Sequence, residues 1–293
     1  MRYTIENENL SVEVDSFGAE IKSVKSKKSG KEYMWCADKK YWGRTSPVLF
    51  PFVGSCKNKE YTYGGVTYKM PQHGFARDNE HMLISKSENS IWFSFKENDT
   101  TRQNYPFDFV LNIGYELKGN TVKVMWRVEN PSQDKKLYLS IGAHPAFNCI
   151  FTQEDTYIKF SKNGKPLDSI SYHGMNEEKG LSITENLSFK LDGGKLFVTK
   201  DFFDRCALIF EEKQADEVSL VSKDGVSFIT VKFDMPLFAL WSPEKKSAPF
   251  ICIEPWCGRC DHEDFNGTLE EREYSNMLTP KGTFETGYTV EFN

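Results

Sequence analysis

Long apolar runs are absent from this sequence, and none approaches the roughly 18 consecutive residues that a transmembrane helix needs. The N-terminal segment, residues 1–6, also lacks the apolar core of a secretory signal peptide. These two absences argue against a membrane-spanning or exported protein. We therefore expect a cytoplasmic protein with no membrane partner.

The sequence also lacks a regular set of cysteines and a long basic stretch. The seven cysteines are odd in number and unevenly spread, which does not suggest a disulfide framework. The formal net charge is −5, and the most basic stretch, residues 22–31, is interrupted by serine and glycine. A surface that binds nucleic acid is expected to be more basic than this. We therefore expect no nucleic-acid partner, and we interpret 22–31 as a solvated hairpin tip.

Apolar residues at every second position are abundant. Aromatic residues make up 14% of the chain, and such rings favour strands and can fill a wide core. Rows with one apolar and one polar face predict half-buried strands. The rows are Leu10, Val12 and Val14; Phe107, Phe109, Leu111, Ile113, Tyr115 and Leu117; Val122, Val124, Trp126 and Val128; and Ile229, Val231 and Phe233.

Tight turns separate these rows. Gly64-Gly65 predicts a two-residue hairpin, and Lys118-Gly119-Asn120 joins the two longest rows. Helical signals are few, and the best is a short helix over 268–278, where Thr268 and Glu271 have capping-box spacing. With no repeat, linker or strand–helix alternation, the sequence predicts an all-β protein. We expect one domain, residues 1–293, built as a large antiparallel β-sandwich with few short helices.

Three segments place rare polar residues in apolar or turn-like surroundings, namely 71–77, 141–147 and 251–256. Glu254 follows an apolar strand and precedes Pro255. A buried carboxylate is unfavourable unless it is paired or used, and burial makes it more basic, which suits a general base. The alternative, an exposed glutamate at a strand end, is equally compatible with the local sequence.

The other two segments contain candidate histidines and an arginine. Pro145 favours an extended backbone at His144, so that its ring projects from a fixed position, and histidine can exchange protons near neutral pH. A core histidine bonded to a backbone carbonyl is the alternative for His144 and for His73, which is followed by the small residue Gly74. Arg77 is a candidate for binding an anion, although pairing with a carboxylate is the commoner role.

A metal site is a rival hypothesis for the last segment. Cys252, Cys257, Cys260 and His262 lie close in sequence, and Cys257 and Cys260 have the spacing of a zinc knuckle. A structural zinc site usually takes a second pair of ligands from elsewhere, and the sequence has no second Cys-x-x-Cys. We therefore expect reduced thiols and no metal.

Taken together, these segments give a pattern that resembles the aldose 1-epimerase (galactose mutarotase) superfamily, in particular its LacX-like branch. The resemblance covers nearly the whole chain, and its specificity comes from the order and spacing of its pieces. The pieces are Phe17-Gly18-Ala19-Glu20-Ile21, Gly30-Lys31-Glu32-Tyr33-Met34-Trp35, Trp42-Gly43-Arg44-Thr45-Ser46-Pro47-Val48-Leu49-Phe50-Pro51, His73-Gly74-Phe75-Ala76-Arg77, Tyr105-Pro106-Phe107, Gly142-Ala143-His144-Pro145-Ala146-Phe147, Leu240-Trp241 and Glu254-Pro255-Trp256 with Gly258.

The resemblance implies the family's supersandwich fold and a role for each matching position. The histidine matching His144 is the general acid that protonates the sugar ring oxygen, and the glutamate matching Glu254 is the base. Positions matching His73 and Arg44 bind substrate. A hydroxyl-binding aspartate matches Asp204 only loosely, and Asp204 fits a turn residue equally well.

The implied activity is interconversion of the α and β anomers of a hexose such as galactose or glucose. Ring opening moves protons only, so we expect no cofactor. Trp241 and Trp256 are candidates for contact with the apolar face of the sugar or, alternatively, for core packing. Two other functions remain open. Arg44 and Arg77 together suit the phosphate of a hexose 6-phosphate, and a non-catalytic sugar-binding protein can share the fold. The partner is a small sugar or sugar phosphate, and the protein is a monomer or a homodimer.

Overall fold

The fold is described from a computed structural model, which describes residues 1–150, 152–176 and 178–293. Antiparallel strands dominate these ranges, as the alternating apolar rows predict. The strands, numbered in chain order, are β1 (Arg2–Glu6), β2 (Leu10–Asp15), β3 (Glu20–Ser26), β4 (Val48–Leu49), β5 (Glu60–Tyr63), β6 (Val66–Lys69), β7 (Met82–Lys86), β8 (Ser90–Lys96), β9 (Val110–Lys118), β10 (Thr121–Glu129), β11 (Leu137–Leu139), β12 (Ile141–Ala143), β13 (Ala146–Asn148), β14 (Thr156–Lys162), β15 (Lys165–Pro166), β16 (Ser169–Asn176), β17 (Leu181–Lys190), β18 (Lys195–Phe197), β19 (Leu208–Phe210), β20 (Glu217–Ser222), β21 (Ser227–Phe233), β22 (Leu237–Trp241), β23 (Phe250–Cys257), β24 (Asn276–Leu278) and β25 (Thr283–Phe292).

Two large sheets contain most of these strands. Among the described residues, a ten-stranded sheet has the order β15-β14-β20-β21-β25-β10-β9-β8-β7, with β18 beside β14. An eight-stranded sheet has the order β17-β16-β19-β22-β23-β12-β4, with β13 beside β23. Smaller sheets join β1, β2 and β3, then β5 and β6, and then β11 and β24. Bulky side chains from both large sheets share one apolar core, so the predicted all-β, sandwich-type architecture is confirmed.

Strand β10 shows how the sequence pattern produces this packing. Its residues Val122, Val124, Trp126 and Val128 are buried, whereas Lys123 and Arg127 between them are exposed. Because successive side chains of a strand point to opposite faces, one face of β10 enters the core and the other meets water. The predicted hairpin at Gly64-Gly65 also forms, with both glycines at positive φ between β5 and β6.

Helices are few and short in the described ranges, and the expected helix over 268–278 is wrong in its extent. The capping box of Thr268 and Glu271 is present, but it starts only a 3-10 turn, Leu269–Glu271. Arg272 is extended because its guanidinium turns inward to pair with buried Asp261. The chain then enters β24. One α-helix, α1 (Asp99–Asn104), begins with an Asn98–Thr101 capping box, and further 3-10 turns cover Lys57–Lys59, Ala76–Asp78 and Gln153–Asp155.

No helix in the described part of the chain has both the length and the apolar character required to cross a bilayer.

The centre of the eight-stranded sheet brings together the distant polar segments that stood out in the sequence. Strand β23 pairs with β22 on one side and with β12 and β13 on the other. His144 lies in the short break between β12 and β13, and Glu254 lies within β23. The topology therefore places these two residues side by side although they are far apart in sequence.

Candidate active site

Glu254 is buried at the middle of β23, and its side chain is only 1% exposed. This placement decides between the two interpretations of its local sequence, since an exposed strand end is excluded. Burial raises the pKa of its carboxyl well above the ordinary value of 4.5. Its Oε2 atom has no hydrogen-bond partner among the described residues. A buried acceptor without a partner is unusual and is typical of a functional site.

His144 faces Glu254 directly. Its Nδ1 atom lies 3.5 Å from Oε1 of Glu254, and its backbone N–H donates to the Pro47 carbonyl at 3.1 Å. Trp42 stacks on the imidazole with ring centroids 4.6 Å apart, and Trp241 packs edge-on at 5.2 Å. Burial, with the nearby Arg77 charge, lowers the pKa of His144 to about 3. The ring is therefore fixed on several sides, and its low pKa keeps it neutral at neutral pH.

His73 is held beside His144 by an unusual backbone conformation. Its φ is +66°, and its ring lies 5.7 Å from that of His144, edge to face. The Gly54 N–H donates to His73 Nδ1 at 3.1 Å. Burial, followed by the charge of Arg77, holds the pKa of His73 well below its ordinary value. Because Nδ1 accepts a hydrogen bond in a neutral ring, Nε2 carries the proton and is a donor.

Two arginines line the same cavity. Arg44 donates to Asp78 Oδ1 at 2.8 Å, and Arg77 donates to the Gln72 carbonyl at 2.8 Å. Burial, together with the Arg44 charge, lowers the pKa of Arg77 to about 10. Arg77 therefore remains charged at neutral pH, and both guanidinium groups stand near His73 and His144 with part of their donor capacity already in use.

Together these residues surround a cavity of about 480 Å³, which is large enough for a small ligand. Five of the six residues predicted for the site line it: Arg44, His73, Arg77, His144 and Glu254. Its wall also contains Trp42, Ser55, Lys59, Gln72, Glu178, Lys179, Cys206, Trp241, Glu244 and Trp256. Of these, Gln72 and Trp256 fall inside the three polar segments of the sequence, whereas Trp42 and Trp241 fall inside other pieces of the family resemblance. Glu178, Lys179 and Glu244 lie in loops without a distinctive local pattern.

Asp204, the sixth predicted residue, lies outside the lining of this cavity. Its Oδ1 atom accepts a hydrogen bond from the Lys245 backbone N–H at 3.1 Å. This contact joins the turn at 201–206 to the loop after β22. The turn-residue alternative describes this placement, whereas its neighbours Cys206 and Ala207 do reach the cavity.

Within the part of the chain that the structure describes, Cys257 and Cys260 do not form the zinc-knuckle arrangement that their spacing allows. Among the described residues, the one group of three potential metal ligands whose donor atoms all lie within 4.8 Å of each other is His144, Cys252 and Glu254. Cys257, Cys260 and His262 do not join a group of this kind. His262 instead accepts a hydrogen bond from the Asp264 N–H at 3.2 Å, and all seven thiols are free.

Comparison with known proteins adds the family. The sequence profile described as aldose 1-epimerase matches residues 1–265. The chain belongs to the aldose 1-epimerase family. The chromosomal LacX protein of Lactococcus lactis subsp. lactis is 31% identical over 297 residues, which cover 99% of each chain. The resemblance inferred from the sequence motifs is thereby confirmed.

Solved structures of other members of the family show the same fold. A galactose mutarotase related enzyme from Lactobacillus acidophilus superposes with a TM-score of 0.93 at 34% identity, over 100% of this chain and 97% of that one. A galactose mutarotase-like protein from Lactobacillus casei gives 0.90 at 28% identity over the full length of both chains. The predicted supersandwich of this family is therefore the fold of the chain.

Proposed function

We propose that this protein is an aldose 1-epimerase, in which Glu254 and His144 exchange the protons that open and close the ring of an aldose. The observation that carries the proposal is the 3.5 Å approach of these two buried groups at the wall of the cavity. A carboxyl and an imidazole at this separation can serve the two neighbouring oxygens of one anomeric centre.

The reaction moves protons and one pair of bonding electrons within the sugar. Glu254 takes the proton of the anomeric hydroxyl while His144 gives a proton to the ring oxygen. The bond between C1 and the ring oxygen breaks, and the anomeric oxygen becomes a carbonyl. Rotation about the C1–C2 bond then presents the other face, and closure returns both protons along the same route.

The pair must hold exactly one proton in this scheme. Burial raises the pKa of Glu254 and lowers that of His144, so a proton shared by the pair favours the carboxyl. Moving it to the imidazole gives an ion pair with the same proton count. The carboxylate–imidazolium arrangement is the state before ring opening, and the carboxyl–imidazole arrangement is the state after it. Ring closure restores the first arrangement, because it reverses the roles of acid and base.

The remaining residues suit substrate binding. We assign the Nε2–H of His73 to an oxygen of the sugar, since the Gly54 N–H occupies Nδ1. Arg44 and Arg77 offer donors to further hydroxyls. Trp42 and Trp241 border the cavity beside His144 and supply apolar surface to the carbon face of a pyranose. Asp204 is not assigned to the site, because its carboxylate holds Lys245.

Galactose or glucose is the substrate we propose first, and the galactose mutarotase names of similar structures favour galactose by association. A hexose 6-phosphate is the second candidate. Four cationic side chains, Arg44, Lys59, Arg77 and Lys179, line the cavity, and such groups bind phosphate well. The carboxylates of Glu178 and Glu244 on the same wall, and the Asp78 partner of Arg44, favour a neutral sugar.

Polarimetry tests the proposal directly. Freshly dissolved α-galactose, α-glucose and α-glucose 6-phosphate are followed with and without protein, and the Glu254→Gln variant provides the control. We expect accelerated mutarotation of at least one sugar by the wild type alone. If no sugar reacts faster while equilibrium binding is still detected, the protein is a non-catalytic sugar binder and the enzyme proposal is wrong.

A further inference from the structure

Cys252 is a buried thiol that the proposed sugar chemistry does not use. It lies on β23 two residues before Glu254, so both side chains leave the strand on the same face. Its strand partner in β13 is Ala146, next to the segment that carries His144. The pairing of β23 with β13 thus places the Cys252 sulfur close to the proposed acid–base pair.

The three side chains form a set of nitrogen, sulfur and oxygen donors. Their donor atoms lie within 4.8 Å of one another. The Nδ1 of His144 and the Oε2 of Glu254 have no hydrogen-bond partner within the described ranges, although both residues are more than nine-tenths buried. Two buried polar atoms without partners in these ranges therefore belong to residues whose donor atoms lie close to the Cys252 thiol.

The measured spacing suits a small tetrahedral cation. With metal–ligand bonds of about 2.0–2.1 Å to nitrogen and oxygen, two such ligands of a tetrahedral ion stand about 3.4 Å apart. The His144 Nδ1–Glu254 Oε1 distance is 3.5 Å. Because His144 and Glu254 line the cavity, an ion can reach these two donors from the cavity.

We propose that His144, Cys252 and Glu254 bind one Zn²⁺ ion, or a similar thiophilic divalent cation, and that the ion inhibits the site. A mixed nitrogen, sulfur and oxygen set selects such metals over Mg²⁺ and Ca²⁺. On binding, the Cys252 thiol releases its proton to solvent as the sulfur bonds to the metal. The ion occupies the lone pairs that the proposed reaction needs, so bound metal and epimerase turnover exclude each other.

Metal binding is measured on the full chain without any sugar, so that its outcome is independent of the proposed function. Zn²⁺ is titrated in competition with a chromophoric chelator, and Co²⁺ is added to a second sample for its electronic spectrum. We expect one ion per chain, with a thiolate-to-cobalt charge-transfer band and tetrahedral ligand-field bands. Where mutarotase activity is found, Zn²⁺ should inhibit it and a chelator should restore it.

Cys252→Ser is the deciding variant and Cys257→Ser is its control, since Cys257 is a buried thiol of the same strand. Zn²⁺ affinity should fall at least about tenfold in Cys252→Ser, as expected for a lost ligand, and should stay unchanged in Cys257→Ser. Equal affinity in Cys252→Ser, or a loss confined to Cys257→Ser, overturns the proposal. If Cys252→Ser does not fold, the wild-type cobalt spectrum decides, and a spectrum without a thiolate band overturns it.

Discussion

His144 Nδ1 and Glu254 Oε1 lie 3.5 Å apart. His144 lies between β12 and β13, and both of these strands pair with β23, which carries Glu254. Within the described ranges, His144 Nδ1 and Glu254 Oε2 have no hydrogen-bond partner. The two groups therefore form a unit whose protonation is shared. Replacing either group alone should therefore reduce activity strongly while leaving the fold intact.

The first prediction concerns these two residues. Glu254→Gln and His144→Asn should each lower the rate of mutarotation by about 10²–10⁴-fold, which is the usual contribution of a positioned acid or base. Both substitutions keep the side-chain size close to the original, so the thermal unfolding midpoint should change little. Polarimetry and differential scanning calorimetry give the two readouts. Wild-type turnover in either variant would falsify the role of that residue.

The pH dependence of activity should respond to Arg77. The charge of this residue contributes to the low pKa of His144, after burial itself. In Arg77→Gln the protonated imidazole is less disfavoured, so the pKa of His144 rises and the acidic limb of the kcat profile moves toward neutral pH. Lys59→Gln is the matched control, because Lys59 also lines the cavity but is not a cause of the shift. An acidic limb that does not move in Arg77→Gln, or moves equally in both variants, contradicts this electrostatic link.

Trp42 should act as a positioning residue through its stacking on His144. Trp42→Ala removes an aromatic pair of the kind that contributes about 0.5–1.5 kcal/mol, so kcat should fall by roughly tenfold at most. Trp42→Phe retains a ring and should recover most of the loss. Trp92→Ala is the control, since Trp92 is a half-buried tryptophan on β8 in the other large sheet. A rise in KM alone, with kcat intact, would limit Trp42 to sugar contact and contradict its positioning role.

Because His81 is buried, we expect the folded protein to lose stability in acid. It stacks on Phe95, and burial lowers the pKa of its imidazole from 6.5 to about 4. Between these values the unfolded chain binds a proton that the folded chain does not, so the free energy of unfolding falls as pH drops from about 6.5 toward 4. The effect is on the order of 3 kcal/mol. Urea unfolding of His81→Gln should show a shallower pH slope than that of the wild type or of His262→Gln, a change at a half-exposed histidine.

The buried pair of Arg272 and Asp261 should be the most sensitive ion pair to break. Their Nε–Oδ1 distance is 2.6 Å and both side chains are at most 5% exposed. Arg272→Met leaves an uncompensated buried carboxylate and should destabilise the protein by about 3–5 kcal/mol. Arg127→Met removes an exposed arginine that pairs with Glu129, and should change stability by less than about 1 kcal/mol. Equal changes in the urea midpoint of the two variants would contradict the prediction.

The strands were predictable from sequence because a half-buried strand has an apolar residue at every second position, as Val122 to Val128 show. The burial of Glu254 was not, since an apolar strand followed by proline looks the same at a sheet centre and at an exposed end. The extent of the 268–278 helix was also misjudged. There, the pairing of Arg272 with Asp261, which the local pattern does not contain, ends the helix after one turn.

The candidate site was predicted mainly through family motifs, because its parts come from distant segments. Trp42 belongs to one of these motifs, but its stacking on His144 arises from the fold of the loop before β4. Asp204 shows the limit of a loosely matching motif, since the motif lies near the cavity while the Asp204 carboxylate accepts a hydrogen bond from the Lys245 backbone. Local sequence therefore identified donor types, and tertiary packing determined which of them meet.

Strand β25 occupies an interior position of the ten-stranded sheet, between β21 and β10, although it is the last strand in sequence. During synthesis, the edges of β21 and β10 that face β25 stay unpaired until residues 283–292 have been made. A nascent or truncated chain lacking that strand is two half-sheets with open, apolar edges, which are the surfaces that chaperones bind and that aggregate. Pairing of β25 with both neighbours makes the sheet continuous, so this sheet cannot be completed without residues 283–292.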